Sequence, residues 1–265
     1  MWRRGNEKCL INQKTILLSL MLFTVAGCSM SHAVNKTLSP PADTEWVNIE
    51  VKNPSQYTKP FPLEVLYIST TCKRKLMSMR DGQHYEKVGY NPVKIPLQNQ
   101  SNSNLWVAKI AKNGGGKCNW QLSEFNLGIE YVDATHLGKE LVPGTAVGAT
   151  IAFDDNATKS GRFDLFKGSE LILSPAYYPF IDSNKDISVD DTLNLFGKVN
   201  FVQKKIVSST KNLQIKFEPT LDETKVVRMI APTEQKIGVY YKIIYPDGTV
   251  VSDGTTHPDV KRLKD

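Results

Sequence analysis

The 265-residue sequence predicts an all-β protein, antiparallel and sandwich-like, in the form of two packed β lobes with one disulfide. Three observations carry that expectation. Short apolar runs alternate residue by residue with polar ones, the period-two pattern of strands with one buried face. Clusters of Asn, Gly, Pro and Asp separate the runs and supply turns. No stretch sustains a helical period with its caps, apart from a short turn expected around Ser188 to Leu195.

The first element is an export segment. Arg3, Arg4, Lys8 and Lys14 precede the apolar run Ile16 to Ala26, which makes residues 1–27 a signal peptide with a charged start and a short apolar centre. A bilayer-spanning helix needs about 20 apolar residues, so this run is too short to cross. It ends in Val25-Ala26-Gly27-Cys28, which resembles the lipobox of bacterial lipoproteins, where small residues let a peptidase reach the bond before a lipidated cysteine. The resemblance implies acylation of Cys28 and a chain held on the membrane by lipid, since each buried methylene contributes about 0.8 kcal/mol and several chains act together. Ser29 stands where inner-membrane retention usually has Asp, which implies the outer membrane, with the protein facing the periplasm. Residues 28–45, polar and proline-containing, read as a flexible tether.

From Trp46 the pattern becomes that of strands. "WVNIEV" sets Val47, Ile49 and Val51 on one face, and "FPLEVLYIS" does the same with Phe61, Leu63, Val65 and Tyr67. Similar runs continue through "LWVAKIA", "CNWQLSEFNLGIEYV" and "VGATIAF", which complete a first β domain at 46–155. "RFDLF", "ELILS", "LNLFGKVNFV", "LQIKFEP", "KVVRMIA" and "IGVYYKIIYPDGTVVSD" supply a second at 156–265. Within the last run, Pro246-Asp247-Gly248 marks a tight hairpin in which glycine provides positive φ.

Cysteine use agrees with export. Cys9 leaves with the signal peptide and Cys28 takes lipid, leaving Cys72 and Cys118 as a pair for one disulfide in an oxidising compartment. The loop closed would hold 47 residues and contribute about 4 kcal/mol on chain entropy. A zinc site is the poorer alternative, because His32, His84, His136 and His257 are scattered without ligand spacing. In the strand that follows, Cys118, Trp120 and Leu122 share a face, which places Trp120 beside the bridge in the core.

Charge and motifs narrow the function. The formal charge of +6 falls to +3 once Arg3, Arg4, Lys8, Lys14 and Glu7 are removed, which is not the balance of a nucleic-acid binder. "KNGGGKC" lacks the spacing, hydroxyl and following helix of a phosphate loop and reads as a flexible hairpin connection. "DSNKDISVDD" offers Asp182, Asn184, Asp186, Ser188 and Asp190 at alternating positions, but Ile187 replaces the turn glycine and Leu193 the bidentate Glu of a calcium loop. No metal and no cofactor is expected. No motif of a serine hydrolase, zinc peptidase or penicillin-binding enzyme is present, and the chain is read as a binding protein rather than an enzyme.

The most charged stretch, "CKRKLMSMRDGQHYEKVGY", mixes Lys73, Arg74, Lys75 and Arg80 with Met77, Met79, Tyr85 and Tyr90. On a strand edge such lysines guard against unwanted pairing. Arg, Tyr and Met are also enriched at the cores of interfaces, so Lys73, Arg74, Lys75, Arg80 and Tyr85 are the candidate partner-binding residues.

The lipobox, Cys72 and the strand Cys118-Asn119-Trp120, in "GGKCNWQLSEFNLGIEYVD", together resemble the immunity lipoproteins paired with type VI secretion phospholipase effectors. That resemblance implies a periplasmic protein that binds an incoming lipase and blocks it, with no catalytic residue of its own. The competing readings are a structural or assembly lipoprotein of the envelope or of a secretion apparatus, and a lipid-anchored enzyme with a diffuse site.

Overall fold

The computed structural model describes residues 34–101, 103–184, 190–207, 212–234 and 236–263. Residues 1–27, expected as a signal peptide, together with Cys28, Asp186 and Ser188, lie outside the described residues. In chain order the strands are β1 (Trp46–Lys52), β2 (Thr58–Pro60), β3 (Leu63–Met77), β4 (His84–Ile95), β5 (Gln98–Asn99), β6 (Leu105–Ala111) and β7 (Asn113–Gly115). There follow β8 (Trp120–Tyr131), β9 (Val142–Pro143), β10 (Val147–Ala152), β11 (Asp164–Phe166), β12 (Glu170–Leu173), β13 (Ala176–Ser183) and β14 (Thr192–Gly197). The last are β15 (Phe201–Ile206), β16 (Asn212–Phe217), β17 (Thr220–Leu221), β18 (Val227–Ile230), β19 (Lys242–Ile244) and β20 (Val250–Val251). Among the described residues the helical elements are 3-10 turns at Ala157–Ser160 and Val260–Leu263.

The strands form three sheets, ordered β12-β16-β1-β6-β5, β11-β15-β10-β8-β3-β4, and β20-β19-β18-β13-β14-β9. Alternation sets each inner face. In β1, Val47, Ile49 and Val51 are buried, and they lie beside Leu213, Ile215 and Phe217 of β16 in matching register. The first two sheets share one core, to which β3 brings Leu63, Val65 and Tyr67 and β8 brings Trp120, Leu122, Phe125, Leu127 and Ile129. In the third sheet the pair β13–β14 is buried on both faces. Tyr177, Ile181, Leu193 and Leu195 join the main core, while Tyr178 and Phe196 pack with Val227, Met229, Ile243, Val260 and Leu263 in a smaller one.

The all-β class is as expected, but the sheets are mixed rather than antiparallel. β1 runs parallel to β16, β10 to β15, β12 to β16 and β13 to β18. Alternation reports which face is buried and carries no strand direction, and parallel neighbours need long crossovers that a local pattern does not reveal. Two of these pairings bridge the boundary expected between residues 155 and 156, and Lys36–Asp265 forms one compact unit.

Smaller differences have local causes. Within the stretch expected as tether, the Ser39 N–H donates to the Gly114 carbonyl and Leu38 packs against the core. The triple-glycine connection is a paired element, since Asn113–Gly115 forms β7 against β8. The turn expected to reach Leu195 gives way to β14, because Leu193 and Leu195 are needed on a buried strand face. The Pro246-Asp247-Gly248 turn is present, with the Tyr245 N–H donating to the Thr249 carbonyl and Gly248 at φ +82°.

Candidate functional site

Ile68 of β3 is its last residue paired with β8, yet β3 and β4 run on together to Met77 and His84. Beyond Ser69 the hairpin is thus a two-stranded arm, and its tip stands about 20 Å past Cys72 at the rise of an extended strand. The basic stretch singled out in the sequence is this arm.

Its foot is tightly built. Cys72 and Cys118 are joined in a disulfide with Cα atoms 5.3 Å apart, and Cys118 and Trp120 are both buried in the main core. The register slips between Ser69 and Arg74, a bulge that places four residues of β3 against one of β4. The Ser69 hydroxyl organises the bulge, donating to the Cys118 carbonyl and accepting from the N–H groups of Thr71 and Cys72. Gly89 faces the bulge, where a Cβ would lie 2.0 Å from the Cys72 carbonyl oxygen. That position admits glycine alone.

Along the arm, residues directly opposite one another share a face. Arg74 stands opposite Lys87 and Leu76 opposite Tyr85, while Lys75 stands opposite Glu86 and Met77 opposite His84. Lys73 reaches Glu86 at 3.2 Å. The Arg74 guanidinium lies 3.8 Å from the centre of the Tyr90 ring, and its Nε donates to the Val88 carbonyl. Arg74 therefore braces the arm, whereas Lys73, Lys75, Arg80 and Tyr85 are exposed. At the tip the Asp81 carboxylate accepts from the Gln83 N–H, and its hydrogen bonds to Ser78 and Gln83 hold it below the usual carboxylate range. Met79 is 96% exposed there, the most accessible apolar side chain of the arm.

The structure so gathers Lys73, Arg74, Lys75, Arg80 and Tyr85 on one projecting element and adds Lys87 to them. Lys87 was legible in principle: Asp81-Gly82 is a hairpin signal, and folding the segment there brings Lys87 opposite Arg74.

A second polar cluster, not foreseen from the sequence, centres on Glu223. Its carboxylate accepts from the Ser55 and Tyr131 hydroxyls at 2.9 and 3.2 Å and lies 2.9 Å from His136 Nε2. The His136 ring stacks on Tyr57 with centroids 3.7 Å apart, and its buried Nδ1 has no hydrogen-bond partner among the described residues. Burial first, and then the Glu223 charge, push the Tyr131 hydroxyl upward. Both carboxylate oxygens are occupied by the protein's own donors, so the cluster ties the loops at 53–57, 131–136 and 222–225 together.

The described residues of the acidic loop bond within the protein. Asn184 donates to the Tyr241 hydroxyl, Ser183 donates to Asp191, and burial with the Asp191 charge raises Asp182. Among the described residues no group of three or more His, Cys, Asp or Glu side chains is placed to hold a metal. Among the described residues no helix is long and apolar enough to cross a membrane. Comparison with known families, curated proteins and solved structures gives no match.

Proposed function

We propose that this chain is a lipid-anchored envelope protein that binds a secreted phospholipase through the β3–β4 arm and blocks it, as an immunity protein does. The observation that supports this most is the arm itself: a projecting ribbon, fixed at its foot by a disulfide and a bulge, that presents cations and an exposed methionine instead of covering them. Fixing a contact element in advance lowers the ordering cost of binding. An interface of standard size would bury about 1,600 Å² in total, with a few anchors dominating. Cations at its rim would speed association with an acidic partner.

The test is charge reversal at Lys73, Lys75, Arg80 and Lys87, leaving Arg74 in place because it braces the arm. Binding to a lipase encoded beside this gene should weaken by about 10- to 100-fold, chiefly through slower association. Cells carrying the variant should become sensitive to that lipase. A folded, anchored variant that protects as well as the parent would show that the arm is not the contact. Failure of the parent to bind any such lipase would remove the immunity reading and favour an assembly role in the envelope.

A further inference from the structure

A contact element can lie on a partner's surface or enter it, and the two demand different distributions of side chains. A ribbon that lies flat uses one face and can leave the other neutral. This arm carries exposed cations on both. Lys87 shares one face with Tyr85 and Leu76, while Lys73 and Lys75 share the other with Met77. Five basic side chains, Lys73, Arg74, Lys75, Arg80 and Lys87, stand against two acidic ones, Asp81 and Glu86. The exposed Met79 and Arg80 lie at the leading end, and methionine adapts to irregular apolar cavities. Among the described residues the contacts of 73–87 are made within the arm and its foot, and Lys73, Lys75, Met77, Tyr85 and Lys87 are exposed on its two faces.

From this distribution we infer that the arm is a plug: it enters a cleft in a partner protein whose two walls carry carboxylates and whose floor is apolar, with Met79 seated on the floor. Facing β layers pack about 10 Å apart, so a cleft that takes one ribbon needs walls separated by about 20 Å. A bilayer is a poorer match, because a flat anionic surface would pair one face and leave the opposite cations in water. The inference rests on the reading that the chain blocks a protein, and it adds the manner of blocking: occupation of the cleft itself. The apolar acyl-chain channel of a phospholipase would supply the floor.

Photo-crosslinking in cells producing the full chain tests it. Benzoylphenylalanine is placed in turn at Tyr85 on one face, Lys75 on the other, Met79 at the tip, and at the exposed Leu165 away from the arm. Insertion predicts that the three arm positions each crosslink to the same polypeptide and that Leu165 does not. Met79→Asp should then weaken capture of that polypeptide at least about tenfold, while Met79→Leu retains it. Crosslinks from one face only, lipid adducts at the tip, or no crosslink at any arm position would each overturn the inference. The two levels separate cleanly. A phospholipase crosslinked from one face leaves the proposed function standing and removes insertion. A polypeptide crosslinked from both faces that lacks phospholipase activity does the reverse.

Discussion

At Gly89 a single missing Cβ decides whether the arm can leave the sheet, because the Cys72 carbonyl occupies the space a side chain would need. Gly89→Ala should lower stability by about 3 kcal/mol, the range of overpacking against backbone, measured by urea unfolding. Tyr67 makes a different residue-scale statement. Its hydroxyl donates to the Ala111 carbonyl at 2.8 Å, and burial pushes its pKa up to about 12. The folded state keeps this proton where the unfolded chain, titrating near 10, has lost it. The stabilisation is therefore whole below pH about 10 and is lost as pH rises through about 12. Stability measured across that window should fall, and Tyr67→Phe should shallow the fall; an equal slope in both proteins would contradict the assignment. His136→Ala removes the stack on Tyr57 and the bond to Glu223, and should cost about 2 kcal/mol in the same unfolding measurement.

At the scale of the element, the arm shows what alternation can and cannot disclose. That Lys73, Arg74, Lys75, Arg80 and Tyr85 belong to one exposed element was legible, because the stretch has strand character and too much charge to be buried. Its projection was not. Projection depends on β8 parting from β3 after Ile68, a register between segments far apart in sequence. In the sequence Arg74 is equivalent to its neighbours, and only the nearness of Tyr90 and Val88 sets it apart. The Glu223 cluster was invisible for the same reason, since His136 and Glu223 are 87 residues apart. The disulfide was legible from the cysteine count and the expectation of export. Replacing both Cys72 and Cys118 by Ala should lower stability by about 2–4 kcal/mol. Limited proteolysis between Lys73 and Lys87 should become faster in that variant, and an unchanged cleavage rate would show that the bridge does not fix the foot.

For the whole molecule, the pairing of β1 with β16 and of β10 with β15 makes the two halves of the chain interdependent. Fragments 36–155 and 156–265 produced separately should lack cooperative unfolding transitions, and a fragment that melts cooperatively alone would sink this expectation. If the proposed lipid anchor holds, Cys28→Ala should move the protein from the membrane to the soluble fraction and leave its N-terminus without lipid in mass spectrometry, and a soluble, unacylated parent would remove the anchor. The position of β16 also bears on how the chain reaches its native state. Synthesis proceeds from the N-terminus, and β1 is made early, but its parallel neighbour arrives only when residues 212–217 have emerged. Until then the edge of β1 that β16 will cover is open, and an unpaired strand edge invites pairing with other chains. Cys72 and Cys118 both precede β16 in the chain, so the bridge can close before that edge is covered. β16 is the more distant in sequence of the two partners of β1, and pairing across so long a stretch of chain is slow to form.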